Sequence, residues 1–91
     1  MPAYLICYDV QKVDNYGAIA EQLREWKSVQ PMESLWLCNV HYDAVTIRKL
    51  LKPLIGDNEG LFVCEIKPSS DWAGLKVHNA VTAWVRANIG Q

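Results

Sequence analysis

The chain predicts an α+β protein in which an antiparallel sheet carries helices on one face. Two observations carry that reading. Short runs of strand composition, YLICYDV, ESLWLCNV and LFVCEIK, are separated by segments whose apolar residues recur at helical spacing. Pro31, which has no amide hydrogen to give a sheet, interrupts the middle run and splits it into a hairpin.

The first run, Tyr4 to Val10, is a strand with one carboxylate, Asp9, near its end. Aspartate is a poor strand former because its short side chain competes for nearby backbone hydrogen bonds, so Asp9 needs a reason to be there. VDNYGAIAEQLREWKS follows, with Tyr16, Ile19, Ala20, Leu23 and Trp26 on one helical face and Asp14 or Asn15 as cap. A short edge segment is expected before Pro31 and a firm strand over Leu35 to Val40. The next helix has Asp43 as cap, Ile47, Leu50, Leu51, Leu54 and Ile55 on its apolar side, Pro53 kinking its last turn and Gly56 as stop. GDNEG is loop, Leu61 to Lys67 is a strand, and PSSDWAG is turn. A final helix over about residues 76–89 puts Val77, Ala80, Val81, Trp84 and Val85 on one stripe. Strand, helix, broken hairpin, helix, strand is the order of a ferredoxin-like βαββαβ sandwich, here with an extra C-terminal helix. Nothing repetitive, low in complexity or linker-like divides the chain, so residues 1–91 are expected to form one domain.

The strands are apolar on both faces. Leu5 and Cys7 point opposite to Ile6 and Tyr8, Leu35 and Leu37 opposite to Trp36 and Cys38, Leu61 and Val63 opposite to Phe62 and Cys64. A sheet with one wet face alternates more cleanly, so something covers the far face. A domain of 91 residues buries only about 60 to 65% of its unfolded surface. With 51% hydrophobic residues and four Trp, a homodimer is the expected cover.

Charge argues mildly against nucleic acid. Nine Lys and Arg balance ten Asp and Glu, leaving a net charge of −1 and no basic block, whereas phosphate grip draws its affinity from a basic excess. The beginning of the chain has no basic leader and no run near the ~20 apolar residues that span a bilayer, which reads as a soluble cytoplasmic protein without membrane contact.

Recognisable catalytic spacing is sparse. G-x-S-x-G, G-x-x-x-x-G-K-[ST], H-E-x-x-H and G-x-G-x-x-G are all missing, and Cys7, Cys38 and Cys64 form no C-x-x-C pair, so they read as small core residues. His41 and His78 stand alone as surface or capping residues; Ser69, Ser70 and Asp71 read as a turn. Arg48, Lys49 and Lys52 share one flank of a solvated helix. Asp9 has two readings. In one it accepts backbone N–H bonds from the QKVDN loop and pins the turn. In the other it shares a face with Leu5 and Cys7, and a two-fold axis on that face brings two Asp9 carboxylates together. Such a pair holds a shared proton or a hard cation, Mg²⁺ or Mn²⁺, which could activate water against a phosphodiester.

YLICYDV followed by a helix, then ESLWLCNV, then IRKLLKPLIGDNEGLFVCEIK resembles the small SinR-like proteins, related to the VapD-type toxins and the CRISPR-associated Cas-two family. The likeness runs over residues 4–67. It implies a ferredoxin-like homodimer in which Asp9 matches an interfacial aspartate given a catalytic and metal-binding role in nuclease relatives, while other relatives are non-catalytic scaffolds. The chain departs from the CRISPR-associated pattern in having Lys12 alone where paired arginines are usual, and QPMESLW where Q-S-V-F is usual. The expected function is therefore a non-catalytic dimeric interaction or scaffold module in a defence or toxin–antitoxin setting. The alternative is a metal-dependent endoribonuclease or DNase using Asp9 and acting on RNA or DNA. An enzyme of small molecules has only His41 and Asp43 to draw on.

Overall fold

The computed structural model describes residues 1–9 and 16–90. The elements are β1 (Ala3–Asp9), α1 (Tyr16–Glu25), β2 (Val29–Met32), β3 (Leu35–Asn39), α2 (Ala44–Leu51), β4 (Gly60–Ile66) and α3 (Asn79–Asn88). The four strands make one sheet in the order β2-β3-β1-β4, with every neighbouring pair antiparallel. The fold is α+β, with β1 and β3 inside the sheet and β2 and β4 at its edges.

Period-two alternation along β1 divides the core in two. Tyr4, Ile6 and Tyr8 point to the near face, where they pack with Trp36 and Cys38 of β3, Ile19 and Leu23 of α1, and Ile47 and Leu51 of α2. Ala3 and Leu5 point to the far face and pack with Leu37 of β3 and with Val81, Val85 and Ile89 in and just after α3. α1 and α2 cover the near face, and the additional helix α3, for which the sequence reading specified no face, lies on the far one. The reason is the apolar stripe of α3, whose Val81 and Val85 can be buried only where apolar sheet surface is still open.

Local chemistry explains the boundaries. The Asp43 carboxylate caps α2 by accepting from the Thr46 amide at 2.8 Å. Pro53 does more than kink that helix: α2 ends at Leu51 and a 3₁₀ turn, Lys52–Leu54, takes over. Leu50, expected on the apolar side, is 43% exposed. At the end of α1, the Lys27 amide bonds to the Arg24 carbonyl and the Ser28 amide to the Leu23 carbonyl, with Lys27 at φ 58° in the left-handed region. Pro31 does not end its strand; β2 runs through it to Met32, because an edge strand can spare an amide hydrogen, and the β2–β3 register slips between Val29 and Met32. The expected caps of α1, Asp14 and Asn15, and Val10 at the end of the first strand lie outside the described residues.

Candidate interaction surface

α3 does not cover the whole far face. Its position over one end of the sheet produces a gradient along each strand: Ala3 is buried, Leu5 and Cys7 half-buried, and Asp9 exposed. On β4, Ile66 is half-buried, Cys64 exposed and Phe62 64% exposed. Cys7 pairs with Leu35 on one side and Phe62 on the other, and Met32 beyond Leu35 is 63% exposed. The open end is thus an apolar patch across all four strands, with Asp9 at its rim opposite Gly60.

Residues 68–78 lead from β4 across to α3 as a strap. The Ser69 amide donates to the Ile89 carbonyl at 2.7 Å, and the Trp72 indole Nε1–H donates to the Gly90 carbonyl at 2.9 Å. Gly90, at φ 106°, adopts a backbone that favours glycine, and its own amide closes on the Val85 carbonyl to end α3. Between strap, helix and sheet lies a cavity of about 420 Å³, lined by Leu5, Leu37, Trp72, Val81 and Val85, with Leu75 82% exposed at its rim.

The other residues singled out in the sequence occupy structural positions. His78 is the N-cap of α3, its Nδ1 accepting from the Ala80 amide at 3.0 Å. His41 is exposed, and Asp43 is spent on its cap. Ser70 Oγ–H donates to the Lys67 carbonyl at 2.7 Å, which makes the turn expected there. Arg48, Lys49 and Lys52 are exposed on and after α2. Cys38 is fully buried, and burial pushes its thiol up to about 11. Cys7, Cys38 and Cys64 are all free thiols.

Asp9 lines a shallow hollow with Cys7, Tyr8, Gly60, Leu61 and Phe62. Among the described residues no group of three or more His, Cys, Asp or Glu side chains converges as a metal site. One exposed carboxylate per chain does not by itself fit Mg²⁺ or Mn²⁺, whose protein ligands need at least a second carboxylate or a substrate phosphate beside it. The local reading, in which the QKVDN loop donates to Asp9, involves residues outside those described. No helix of the described residues is long and apolar enough to cross a membrane.

Sequence reasoning missed two features here: α3 on the far face and the strap pinned to its end. The signal for the first was present, since both sheet faces and the last helix were read as apolar, and the two had only to be matched. No protein-family model matches the chain, and no curated protein matches it either.

Proposed function

We propose that this chain is a homodimeric interaction module without catalysis, built as a ferredoxin-like βαββαβ sandwich with an added helix. The observation that carries this is the uncovered apolar end of the far face, where Phe62 and Met32 are 64% and 63% exposed and stand with Leu35 and half-buried Cys7 in one contiguous patch. A patch of contiguous apolar residues marks a contact surface more often than it marks bare solvent boundary. The resemblance to SinR-like, VapD-type and CRISPR-associated relatives supports a homodimer and a defence or toxin–antitoxin setting, although fold likeness alone does not carry function.

The test is the mass of the particle in solution. Light scattering should give a dimer at micromolar concentration without added divalent metal, and Phe62→Glu should shift it toward monomer. A monodisperse monomer for the wild type overturns the reading.

One observation favours a second reading, a metal-dependent nuclease: Asp9 is exposed on this same face and open to a cation and to phosphate. That reading needs a second carboxylate, which a symmetry-related Asp9 would supply. Hydrolysis of single- and double-stranded RNA and DNA with Mg²⁺ or Mn²⁺, compared between wild type and Asp9→Ala, tests it. Equal turnover by the two proteins removes Asp9 from the chemistry.

A further inference from the structure

The two edges of the sheet are unlike. β2 is four residues long, contains Pro31 and slips in register, all features that discourage a further strand from pairing. β4 is seven residues, GLFVCEI, without proline and in unbroken register with β1 from Gly60 to Ile66. Among the described residues, no backbone group outside the sheet pairs with its outer edge. A long, regular edge carrying one charge, Glu65, is a template for another strand.

We propose that the partner strand is β4 of a second copy, paired antiparallel about a two-fold axis through Val63, so that the two sheets join into one of eight strands. The inference rests on the dimeric reading above and narrows its surface to the β4 edge, which takes in Phe62 and leaves Met32, on the opposite edge strand, outside the contact. The two-fold axis sets the register: Val63 meets its own copy, Phe62 meets the partner's Cys64, and Leu61 meets the partner's Glu65.

Charge complementarity singles out this occupant. Alternation places Leu61, Val63 and Glu65 on the near face with Tyr8, Ile6 and Tyr4, their ladder partners on β1. Continuing it, Glu59 of one copy stands opposite Lys67 of the other, and the axis repeats the pair; the Glu59 carboxylate already accepts from the Gly56 amide of its own chain, so Lys67 would add to that contact. Arg48 of α2 lines the same crevice as Leu61, so the partner's Glu65, which sits across from Leu61, falls beside that guanidinium. Glu65 now pairs with Lys67 of its own chain at 3.2 Å, with both side chains substantially exposed, a contact that can be exchanged at little cost. No like charges oppose each other in this register. Apolar groups flank the edge on both faces, Phe62 at 64% and Val45 of α2 at 49% exposure, so the joined sheet would bury side chains as well as backbone groups.

The arrangement also decides the place of Asp9. Asp9 pairs with Gly60, three residues from the axis along the strand, and β1 lies one and a half strand spacings from it. At ~3.4 Å per residue and ~4.8 Å per strand, the two Asp9 residues stand roughly 25 Å apart. No single cation bridges that distance, so edge pairing and the twinned-carboxylate metal site exclude one another.

Site-specific crosslinking tests the register. In a Cys64→Ser background, Val63→Cys is expected to give a covalent dimer with a thiol crosslinker no longer than ~8 Å, because directly opposed Cβ atoms lie about 5 Å apart. The double variant Leu61→Cys, Glu65→Cys should crosslink as well, whereas Leu61→Cys alone and Asp9→Cys should not. If scattering shows a dimer but Asp9→Cys crosslinks, or Val63→Cys does not, edge pairing is wrong while the dimeric reading survives. If the wild type is a monomer, both fall. Thermal melts of each variant, compared with wild type, establish that the chain tested is folded.

Discussion

The indole Nε1–H of Trp36 donates to the Tyr8 hydroxyl at 2.9 Å, and both residues are almost completely buried, at 2% and 3% exposure. The two come from adjacent strands of the near face, β3 and β1, and lie 28 residues apart in the chain. Tyr8→Phe keeps the ring and leaves the indole donor without that acceptor. A buried donor left unpaired costs about 1–3 kcal/mol, so urea denaturation should show a loss of that size with an unchanged m-value.

α3 is attached by packing more than by hydrogen bonds. Val85 is 5% exposed, and outside the apolar contacts the tie to β3 is the Asn39 Nδ2–H bond to Asn88 Oδ1 at 2.7 Å. Val85→Ala should cost about 2 kcal/mol, and Val85→Asp should detach the helix altogether. Increased binding of a hydrophobic dye by Val85→Asp, with far-UV circular dichroism largely kept, is the measurement that checks the second outcome.

Lys27 occupies the left-handed region at φ 58° with its side chain exposed. A β-carbon there is disfavoured by roughly 1–2 kcal/mol, part of which glycine returns as unfolded-state entropy. Lys27→Gly is therefore expected to stabilise the chain by about 0.5–1 kcal/mol in chemical denaturation. Unchanged or reduced stability would show that the Lys27 side chain contributes something the backbone argument omits.

The Asp43 carboxyl is held below the usual aspartate range by hydrogen bonds from the Thr46 side chain and amide. A lowered folded-state pKa means that its stabilisation is fully present above the ordinary value of about 3.9 and is lost as pH falls through the lowered one. Asp43→Asn can still cap but cannot titrate. The melting temperatures of wild type and Asp43→Asn should differ most near neutrality and converge as the solution is taken to strong acid.

Cys38 behaves in the opposite sense. Its folded-state pKa is raised by burial from 9.0 to about 11, so stability is complete below the lower value and drains away as pH rises through the higher one. Tyr4, raised chiefly by burial as well, acts in the same direction. At pH 8 a thiol reagent should label Cys64 quickly and Cys38 only at the rate of unfolding, and Cys38→Ala should flatten the alkaline loss of stability.

Most elements were legible because their signals are local. The cap at Asp43, the apolar i, i+3, i+4 pattern of Ile19, Leu23, Ile47 and Leu51, and the alternation along Tyr4 to Tyr8 depend on a few neighbouring residues and survive in the fold. The edge segment expected before Pro31 is there as β2, but it runs on through the proline to Met32, because a missing amide hydrogen is harmful only where a neighbour wants it. Leu50 was assigned inward from spacing alone, but the inward line of α2 is held by Ile47 and Leu51, one turn apart, and Leu50 falls on the flank of that line at 43% exposure.

Residue order alone determined that this chain makes an antiparallel sheet with apolar residues on both sides, and that Asp9 stands at the end of a strand on the Leu5 face. The tertiary structure decided what occupies each side: α3 folds back over one end of that face, leaving Phe62, Cys64 and Asp9 open, and β4 is an edge strand that no other described segment pairs with. The reason is physical. Hydrophobicity patterns state how much surface must be removed from water, but they carry no address for the element that removes it. That choice is made by strand order and by the length and direction of the strap that brings α3 across the sheet.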